Sequence, residues 1–325
     1  ENRLLKEILR LEKKVISGPA WLYENILVDK KVIAVSGTHG KTTVTSMIAH
    51  AMINSNYDPN YLIAGIPNKL KKSWNISSDE VFIIEADEYD TCYFDKRPKF
   101  FHYRPSTLLI NNIEFDHADI YENVEMIENN FLKLIKTMPK NSKVLINENK
   151  VSNSFKDSLS GEYLDTTIQL LSLDSNNIHE ENKLLAAHAI EDILPKEIVL
   201  KGLDGYIGVK RRFETIFKDK SFELIDDFAH HPTAIEETIK MVREKTENLI
   251  LIVEFGSNSM KKGIHDKSLL NIFRNQDTYM INASAEQGKI FLGQAKELTN
   301  NDINEICALD IKKKTILMCG NRNFQ

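Results

Sequence analysis

The residues best suited to chemistry lie early in the chain, where an apolar run leads through two glycines into helix-forming sequence. Glycines let backbone N–H groups approach an anion closely, and a helix N-terminus adds positive potential. Lys41 supplies a full charge and Thr42 a hydroxyl that suits Mg2+. The candidate phosphate-binding residues of this loop are Gly37, Thr38, Gly40, Lys41, Thr42 and Thr43. The pattern therefore predicts that the loop binds ATP or GTP.

The loop departs from the usual P-loop spacing, which requires a glycine where Val35 stands. An ordinary strand-to-helix turn with a surface lysine is the alternative interpretation. The apolar run before the loop and the apolar residues Met47, Ile48 and Met52 after it favour phosphate binding.

Two acidic segments follow further apolar runs. Residues 83–90 have the sequence Ile-Ile-Glu-Ala-Asp-Glu-Tyr-Asp, and residues 111–119 have Asn-Asn-Ile-Glu-Phe-Asp-His-Ala-Asp. Because the carboxyl ends of parallel strands form the ligand crevice of an α/β sheet, these groups are candidates to bind Mg2+ beside a phosphate. Each segment alone could equally be a solvated loop or a helix cap. His117, between two aspartates, is a candidate ligand of a second divalent ion.

A third cluster combines Lys210-Arg211-Arg212 with residues 225–233, Ile-Asp-Asp-Phe-Ala-His-His-Pro-Thr. Arginine can stabilise charge on a transferring phosphoryl group from a neighbouring domain. The alternatives are a solvated basic run at a domain joint and a helix cap with exposed histidines.

The elements that must position these groups alternate between strand-like and helical patterns, which predicts α/β architecture with a parallel sheet covered by helices. Residues 124–138 have helical spacing, and Pro139 ends that helix. The predicted strands are Lys31–Ser36, Val81–Glu85, Thr107–Asn112, Lys143–Asn147, Phe222–Ile225, Leu249–Glu254, Thr278–Ile281 and Thr315–Cys319.

Composition limits the classes of partner. The chain has 325 residues and a net charge of −5, with no basic stripe for nucleic acid and no apolar run long enough to cross a membrane. Cys92, Cys307 and Cys319 lack metal-site spacing, which indicates a reducing compartment and so a cytoplasmic protein. No signal peptide is evident, and because Glu1 is not an initiator methionine we expect a fragment.

Four of these segments together resemble the Mur ligase family in order and spacing. They are Gly-Thr-His-Gly-Lys-Thr-Thr at 37–43, Glu-Ala-Asp-Glu at 85–88, Asn-Ile-Glu-Phe-Asp-His-Ala-Asp at 112–119 and Asp-Asp-Phe-Ala-His-His-Pro at 226–232. The resemblance runs from about Ser17 almost to the C-terminus, and it is weak between Val151 and Lys201. It implies a central P-loop-type ATPase domain at 29–207 and a C-terminal Rossmann-like domain at 208–325. Residues 1–28 would be the remnant of an N-terminal UDP-binding domain that is otherwise absent.

Further segments resemble the family members that join UDP-N-acetylmuramate to L-alanyl-γ-D-glutamyl-meso-diaminopimelate. They are residues 17–22, 85–90, 94–97, 102–105 and 257–261. The implied chemistry is ATP-dependent amide-bond formation through an acyl phosphate, in peptidoglycan recycling. The implied substrates are the UDP sugar and the murein tripeptide, without nucleic acid or membrane, and the protein would be a monomer or weak homodimer.

The resemblance also implies roles for individual residues. Thr42 and Glu85 would hold one Mg2+ and His117 the second. Lys41 and Arg212 would contact phosphate, and His39 would orient the acyl group or the phosphate unless it is only a spacer. Three residues would lie at the nucleotide: Asp227, His230 and His231. The peptide would meet Ser257, Asn258 and Lys261.

One departure from the resemblance concerns the peptide. Family members that use this tripeptide usually have Glu-Pro-Arg-Ser-Asn-Thr-Met-Lys where residues 254–261 are Glu-Phe-Gly-Ser-Asn-Ser-Met-Lys. Gly256 therefore removes a guanidinium suited to a peptide carboxylate. Two alternatives stay open: a ligase that adds L-alanine alone, and a non-catalytic nucleotide-binding relic.

Overall fold

Nine strands come from the first half of the chain, in a computed structural model that describes residues 3–159, 165–173, 175, 177–274, 276–298 and 314–322. They are β1 (Lys31–Ser36), β2 (Asn60–Leu62), β3 (Trp74–Asn75), β4 (Val81–Glu85), β5 (Asp90–Cys92), β6 (Asp95–Pro98), β7 (Thr107–Ile110), β8 (Ser142–Asn147) and β9 (Thr166–Leu171). Seven form one sheet in the order β3-β2-β4-β1-β7-β8-β9, parallel except between β2 and β3. The carboxyl ends of β1, β4 and β7 therefore lie side by side.

Helices cover both faces of this sheet, and strand alternation explains why. Ile33 and Val35 of β1 pack on one face, while Val32 and Ala34 pack on the other, since successive side chains of a strand point to opposite sides. A strand buried on both faces must be apolar throughout. The helices are α1 (Arg3–Arg10), α2 (Gly18–Leu22), α3 (Lys41–Asn54), α4 (Phe100–Tyr103), α5 (Val124–Thr137), α6 (Asn153–Ser158), α7 (Ile178–Ala189) and α8 (Lys196–Gly202), with a π-helical turn at Tyr23–Leu27 and a 3-10 turn at Glu148–Lys150.

A second sheet follows in the C-terminal half. Its strands are β10 (Glu214–Lys218), β11 (Phe222–Asp227), β12 (Leu249–Glu254), β13 (Asp277–Ile281), β14 (Lys296–Leu298) and β15 (Lys314–Cys319), in the order β10-β11-β15-β12-β13-β14. Only the pair β10 and β11 is antiparallel. The helices are α9 (Pro232–Arg243), α10 (Asn258–Lys261), α11 (Asp266–Phe273) and α12 (Ala285–Ile290). The predicted α/β class with parallel sheets is confirmed.

All eight predicted strands are present, with some ends displaced. The strand predicted to reach Asn112 ends at Ile110, because the side chains of Asn111 and Asn112 bind the backbone of the phosphate loop instead. The strand predicted to end at Ile225 continues to Asp227. The predicted helix over 124–138 is confirmed as α5, which begins after the cap Asn123.

The connection between the two sheets starts on the central one. Val209 forms a β-bridge with Pro67, and Lys210 donates its N–H to the carbonyl of Ile66. We propose that the domain boundary lies after residue 207, with the central unit at 29–207. Within the described ranges no helix is both long and apolar enough to span a membrane. Cys307 and the final residue Gln325 lie outside the part of the chain that the structure describes. Asn176, in the region 151–201 where the family resemblance is weak, also lies outside it.

Candidate active site

The phosphate loop between β1 and α3 has a conformation that its two glycines allow. Gly37 has φ +130° and Gly40 has φ +81°. A Cβ on Gly37 would lie 2.9 Å from the carbonyl oxygen of Asn112, and one on Gly40 would lie 2.5 Å from Nδ2 of Asn111. No side chain caps the N-terminus of α3. Its first N–H groups are therefore available to an anion, as phosphate binding requires.

Lys41 lies in the first turn of α3 among carboxylates. Its Nζ is 2.6 Å from the carbonyl oxygen of Gly37, 3.4 Å from Glu88 Oε2 and 3.9 Å from Asp87 Oδ1. Burial alone would lower the pKa of Lys41, but the attraction of Glu88, Asp87 and Glu85 outweighs it and raises the pKa. The amine therefore stays charged at neutral pH, as a phosphate-binding lysine must.

Thr42, Glu85 and Arg212 form a chain that joins the two halves of the molecule. The hydroxyl of Thr42 donates to Glu85 Oε2 at 2.9 Å, and Nη2 of Arg212 donates to Thr42 Oγ1 at 3.1 Å. Burial raises the pKa of Glu85 despite the opposing effects of its hydrogen bonds and of Arg212. Arg212 also lies over the ring of Phe228, 4.4 Å from its centroid. The guanidinium thus reaches from the C-terminal half to the phosphate loop.

A second group of acidic donors surrounds His117. One ligand atom from each of Asp87, Glu88 and His117 lies within 4.8 Å of the others. Glu88 is only 1% exposed, and its Oε1 has no hydrogen-bond partner among the described residues. Burial alone would lower the pKa of His117, but the attraction of Glu88, Asp116 and Asp87 outweighs burial and raises the pKa. A buried, unsatisfied carboxylate oxygen beside an imidazole fits a divalent cation.

The sequence predicted the whole acidic segment as a source of Mg2+ ligands, but it implied individual roles for Glu85 and His117 and not for Asp87 or Glu88. Glu85, Asp87 and Glu88 belong to the same segment. The conformation of the turn after β4 decides which of these carboxylates face the cleft. The available signal was the position of both acidic segments at the carboxyl ends of predicted parallel strands.

The groups from both halves line one cleft of about 630 Å³. The phosphate-loop side contributes Thr38, His39, Gly40, Lys41, Thr42, Thr43, Glu85 and His117, and the C-terminal side contributes Arg212, Asp227, Phe228 and His230. Four further residues line this cleft: Ile178, His179, Asn182 and Tyr206.

The side chains of Asp227 and His230 form hydrogen bonds with backbone groups of the C-terminal half. Asp227 accepts hydrogen bonds from the N–H groups of Phe213 and Ala229, at 2.7 Å each. Burial raises the pKa of Asp227 to about 6, although Arg212 opposes the shift. His230 Nδ1 lies 2.8 Å from the carbonyl oxygen of Phe228, and burial lowers the pKa of His230 to about 4.

His39 and His231 face each other rather than Lys41. Their Nε2 and Nδ1 atoms are 3.1 Å apart, and Glu114 Oε2 lies 3.8 Å from the first and 3.6 Å from the second. Burial lowers the pKa of His231 to about 3, helped by His39 and His265. Burial would raise the pKa of Glu114, but His39, Thr233 and His231 lower it to about 2. The sequence did not predict this contact between His39 and His231, because the contact depends on how the two halves of the chain dock.

The predicted peptide residues lie around α10. Ser257 caps that helix by accepting the N–H of Met260, and Asn258 Nδ2 donates to Asp119 Oδ2 at 3.0 Å. Lys261 is exposed. A Cβ on Gly256 would collide with the carboxylate of Glu254 and lie 2.5 Å from Asn321 Oδ1. An arginine at Gly256 therefore has room only if the side chains of Glu254 and Asn321 both move.

Comparisons with known proteins match both halves of the chain. Residues 35–188 match the Mur ligase middle domain, and residues 211–307 match the Mur ligase glutamate ligase domain. The chain is 34% identical over 296 residues to a UDP-N-acetylmuramate–L-alanyl-γ-D-glutamyl-meso-2,6-diaminoheptandioate ligase of Escherichia coli, covering 81% of the chain and 65% of the relative. The ligase of the same name from Haemophilus influenzae is 34% identical over 304 residues, with the same coverage.

A solved structure shows the same fold. A murein peptide ligase from Psychrobacter arcticus superposes with a TM-score of 0.72 at 28% identity, covering 99% of this chain and 81% of that one. The chain spans 65% of the length of the two curated relatives. With both family matches falling on the two sheets that form the cleft, the chain belongs to the Mur ligase family.

Proposed function

We propose that this chain carries the ATP- and Mg2+-dependent part of a ligase that joins UDP-N-acetylmuramate to L-alanyl-γ-D-glutamyl-meso-diaminopimelate. The proposal relies on one observation above all. Arg212 from the C-terminal half donates to Thr42 of the phosphate loop, 3.1 Å away, and Thr42 in turn donates to Glu85. A cation, a hydroxyl and a carboxylate from two domains thus meet where a triphosphate would lie.

In the proposed reaction the lactyl carboxylate of the muramate attacks the γ-phosphorus of ATP, which forms an acyl phosphate and releases ADP. The peptide amine then attacks the acyl carbon, and phosphate and a proton leave as the amide forms. Carboxylate and triphosphate repel each other, so Lys41 and Arg212 lower the barrier by cancelling negative charge. Mg2+ would neutralise further phosphate charge when held by Thr42 and Glu85 and by His117 with Asp87 and Glu88.

The relatives' names support the choice of substrates. The E. coli and H. influenzae relatives are named for the muramate and the tripeptide. Both substrates are small molecules, and we propose a cytoplasmic enzyme, monomeric or weakly dimeric, that works without nucleic acid or membrane.

Release of ADP from the purified full-length protein tests the proposal. We expect release to require UDP-N-acetylmuramate and to become catalytic only when the tripeptide is added. Turnover with L-alanine instead of the tripeptide would assign the chain to the L-alanine ligases. ATP binding without release under any combination would support a non-catalytic relic.

A further inference from the structure

The pair His39 and His231, together with Glu114, lies apart from the groups that surround Lys41. His39 belongs to the phosphate loop, Glu114 follows β7, and His231 precedes α9 of the C-terminal half. Their facing atoms are two imidazole nitrogens and one carboxylate oxygen, separated by 3.1, 3.6 and 3.8 Å. The role expected for His39, orienting an acyl group or a phosphate, does not explain why its ring meets another imidazole.

The distances between these three atoms are typical of ligand atoms that surround one metal ion. The point equidistant from the three atoms is about 2.0 Å from each, as the three separations require, and zinc binds imidazole nitrogen and carboxylate oxygen at about 2.0 to 2.2 Å. Two histidines and one glutamate with an open fourth position form a common zinc set. Mg2+ instead prefers oxygen ligands in octahedral geometry.

Surrounding contacts hold two of the three donors, His39 and Glu114, in place. The backbone of His39 is fixed on both sides by Asn112, whose Oδ1 accepts the N–H and whose Nδ2 donates to the carbonyl. Thr233 Oγ1 donates to Glu114 Oε2 at 2.6 Å, which orients the carboxylate as outer-shell partners of metal sites do.

A third histidine gives an independent indication. His265 is 7% exposed, and its ring lies 4.5 Å from that of His231. Its Nε2 has no hydrogen-bond partner among the residues that the structure describes. A water on the open position of a metal is the kind of partner that such a buried nitrogen lacks.

We propose that His39, Glu114 and His231 form a binding site for a divalent transition metal, Zn2+ in particular, distinct from the Mg2+ positions at the phosphate. Because the ligands come from both halves of the chain, the bound metal links the central sheet to the C-terminal sheet. The proposal does not depend on the identity of the ligase substrates.

Cobalt absorption tests the site directly, since Co2+ in a nitrogen-containing site of low symmetry absorbs visible light and Zn2+ displaces it. Metal-free full-length protein is titrated with Co2+ in excess Mg2+, which occupies the oxygen-rich positions. We expect one equivalent of Co2+ to produce the band and Zn2+ to abolish it. His39→Gln and His231→Gln should each weaken Co2+ binding by more than about tenfold.

Two control variants distinguish this site from other histidines. His188→Gln removes an imidazole 3.0 Å from a carboxylate of Glu191, outside the cleft, and His117→Gln removes the imidazole of the other donor group. Both should keep the band. A band that survives His231→Gln or disappears with His117→Gln would overturn the proposal, as would a protein without any band. Circular dichroism of each variant shows whether it is folded.

Discussion

At the scale of single residues, the candidate site pairs buried cations with buried carboxylates. Lys41 and Arg212 face Glu85, Asp87 and Glu88 at the mouth of the phosphate loop. Buried charges are stable only when they are paired. The two cations, which we propose to bind phosphate, therefore also stabilise the buried carboxylates beside them.

Replacing Lys41 separates these contributions. We expect Lys41→Ala to reduce ADP release by at least about a thousandfold, since the cation nearest the phosphate loop is lost. Because the variant leaves Glu88 without its cation, we also expect a lower melting temperature with an unchanged circular dichroism spectrum. Lys143→Ala is the matched control. Its side chain is also 16% exposed and pairs with Glu191 and Asp192 away from the cleft. Turnover at the wild-type rate in Lys41→Ala would show that the loop is not catalytic.

Asp227 should make stability depend on pH in a specific direction. Its pKa is raised from 3.8 to about 6 by burial, so its stabilising contribution is complete below about pH 4 and is lost as the pH rises through about 6. The free energy of unfolding of the wild type, relative to Asp227→Asn, should fall by roughly 3 kcal/mol or less between these limits. Urea unfolding at several pH values measures this difference. A difference that is constant or that increases with pH would refute the assignment.

At the scale of elements, the site is built where strands end and helices begin. The ends of β1, β4 and β7 supply the phosphate loop, the acidic run and Glu114 to His117. Strand β11 ends at Asp227, just before His230 and His231. The parallel arrangement of each sheet brings these ends to one edge.

The turn at Gly40 tests the phosphate loop as an element. We expect Gly40→Ala to weaken ATP binding by more than about tenfold, since its Cβ would displace Asn111 and the residue must keep a positive φ. Gly205→Ala is the matched control, because its φ of +72° is similar and nothing lies within 4 Å of the added Cβ. Calorimetric titration with ATP measures both. Equal affinities in the two variants would mean that the loop does not need this close approach.

Most of the strands that the sequence predicted are buried apolar runs, and the strands that it missed are short or only partly buried. The strands β1, β4, β8 and β12 are continuous apolar runs, which sequence patterns detect well. The missed β10 is an exposed edge strand with only an intermediate residue at its start, and β14 has three residues. β10 pairs with the next strand, β11, and β14 pairs with the preceding strand, β13, so what hides both from the sequence pattern is their few buried residues.

The candidate site likewise contains residues that the sequence predicts and contacts that it does not predict. Lys41, Thr42, Glu85 and Arg212 stand in motifs that can be recognised locally. The contacts of His39 with His231 and of Ser259 with Asp116 join residues 192 and 143 positions apart, and only the docked halves bring them together. The same docking explains why Asn258, expected at the peptide, instead binds Asp119.

At the scale of the whole molecule, the cleft exists only because the two halves meet. Thr233 donates to Glu114, Ser259 donates to Asp116 and Arg212 donates to Thr42 across the junction. The candidate site residues are therefore brought together only in this docked arrangement.

We propose that the C-terminal half acts on the phosphate through Arg212, which already donates to Thr42 of the phosphate loop. We expect Arg212→Gln to lower the rate of ADP release by about a thousandfold or more, as the loss of an arginine finger does. Arg243→Gln is the control, since Arg243 in the same half bonds Gln276 and Glu247 far from the cleft. Steady-state kinetics with both variants measures the effect. An unaltered rate in Arg212→Gln would assign its guanidinium to domain packing alone.

The central claim is that a magnesium-bound triphosphate lies between the two halves. A crystal structure of the full-length protein with Mg2+ and a non-hydrolysable ATP analogue tests it most directly. We predict the γ-phosphate between Lys41 and Arg212, with metal ions at Thr42 and Glu85 and at His117. A triphosphate bound elsewhere, or one that contacts only the central sheet while Arg212 faces away, would contradict the account.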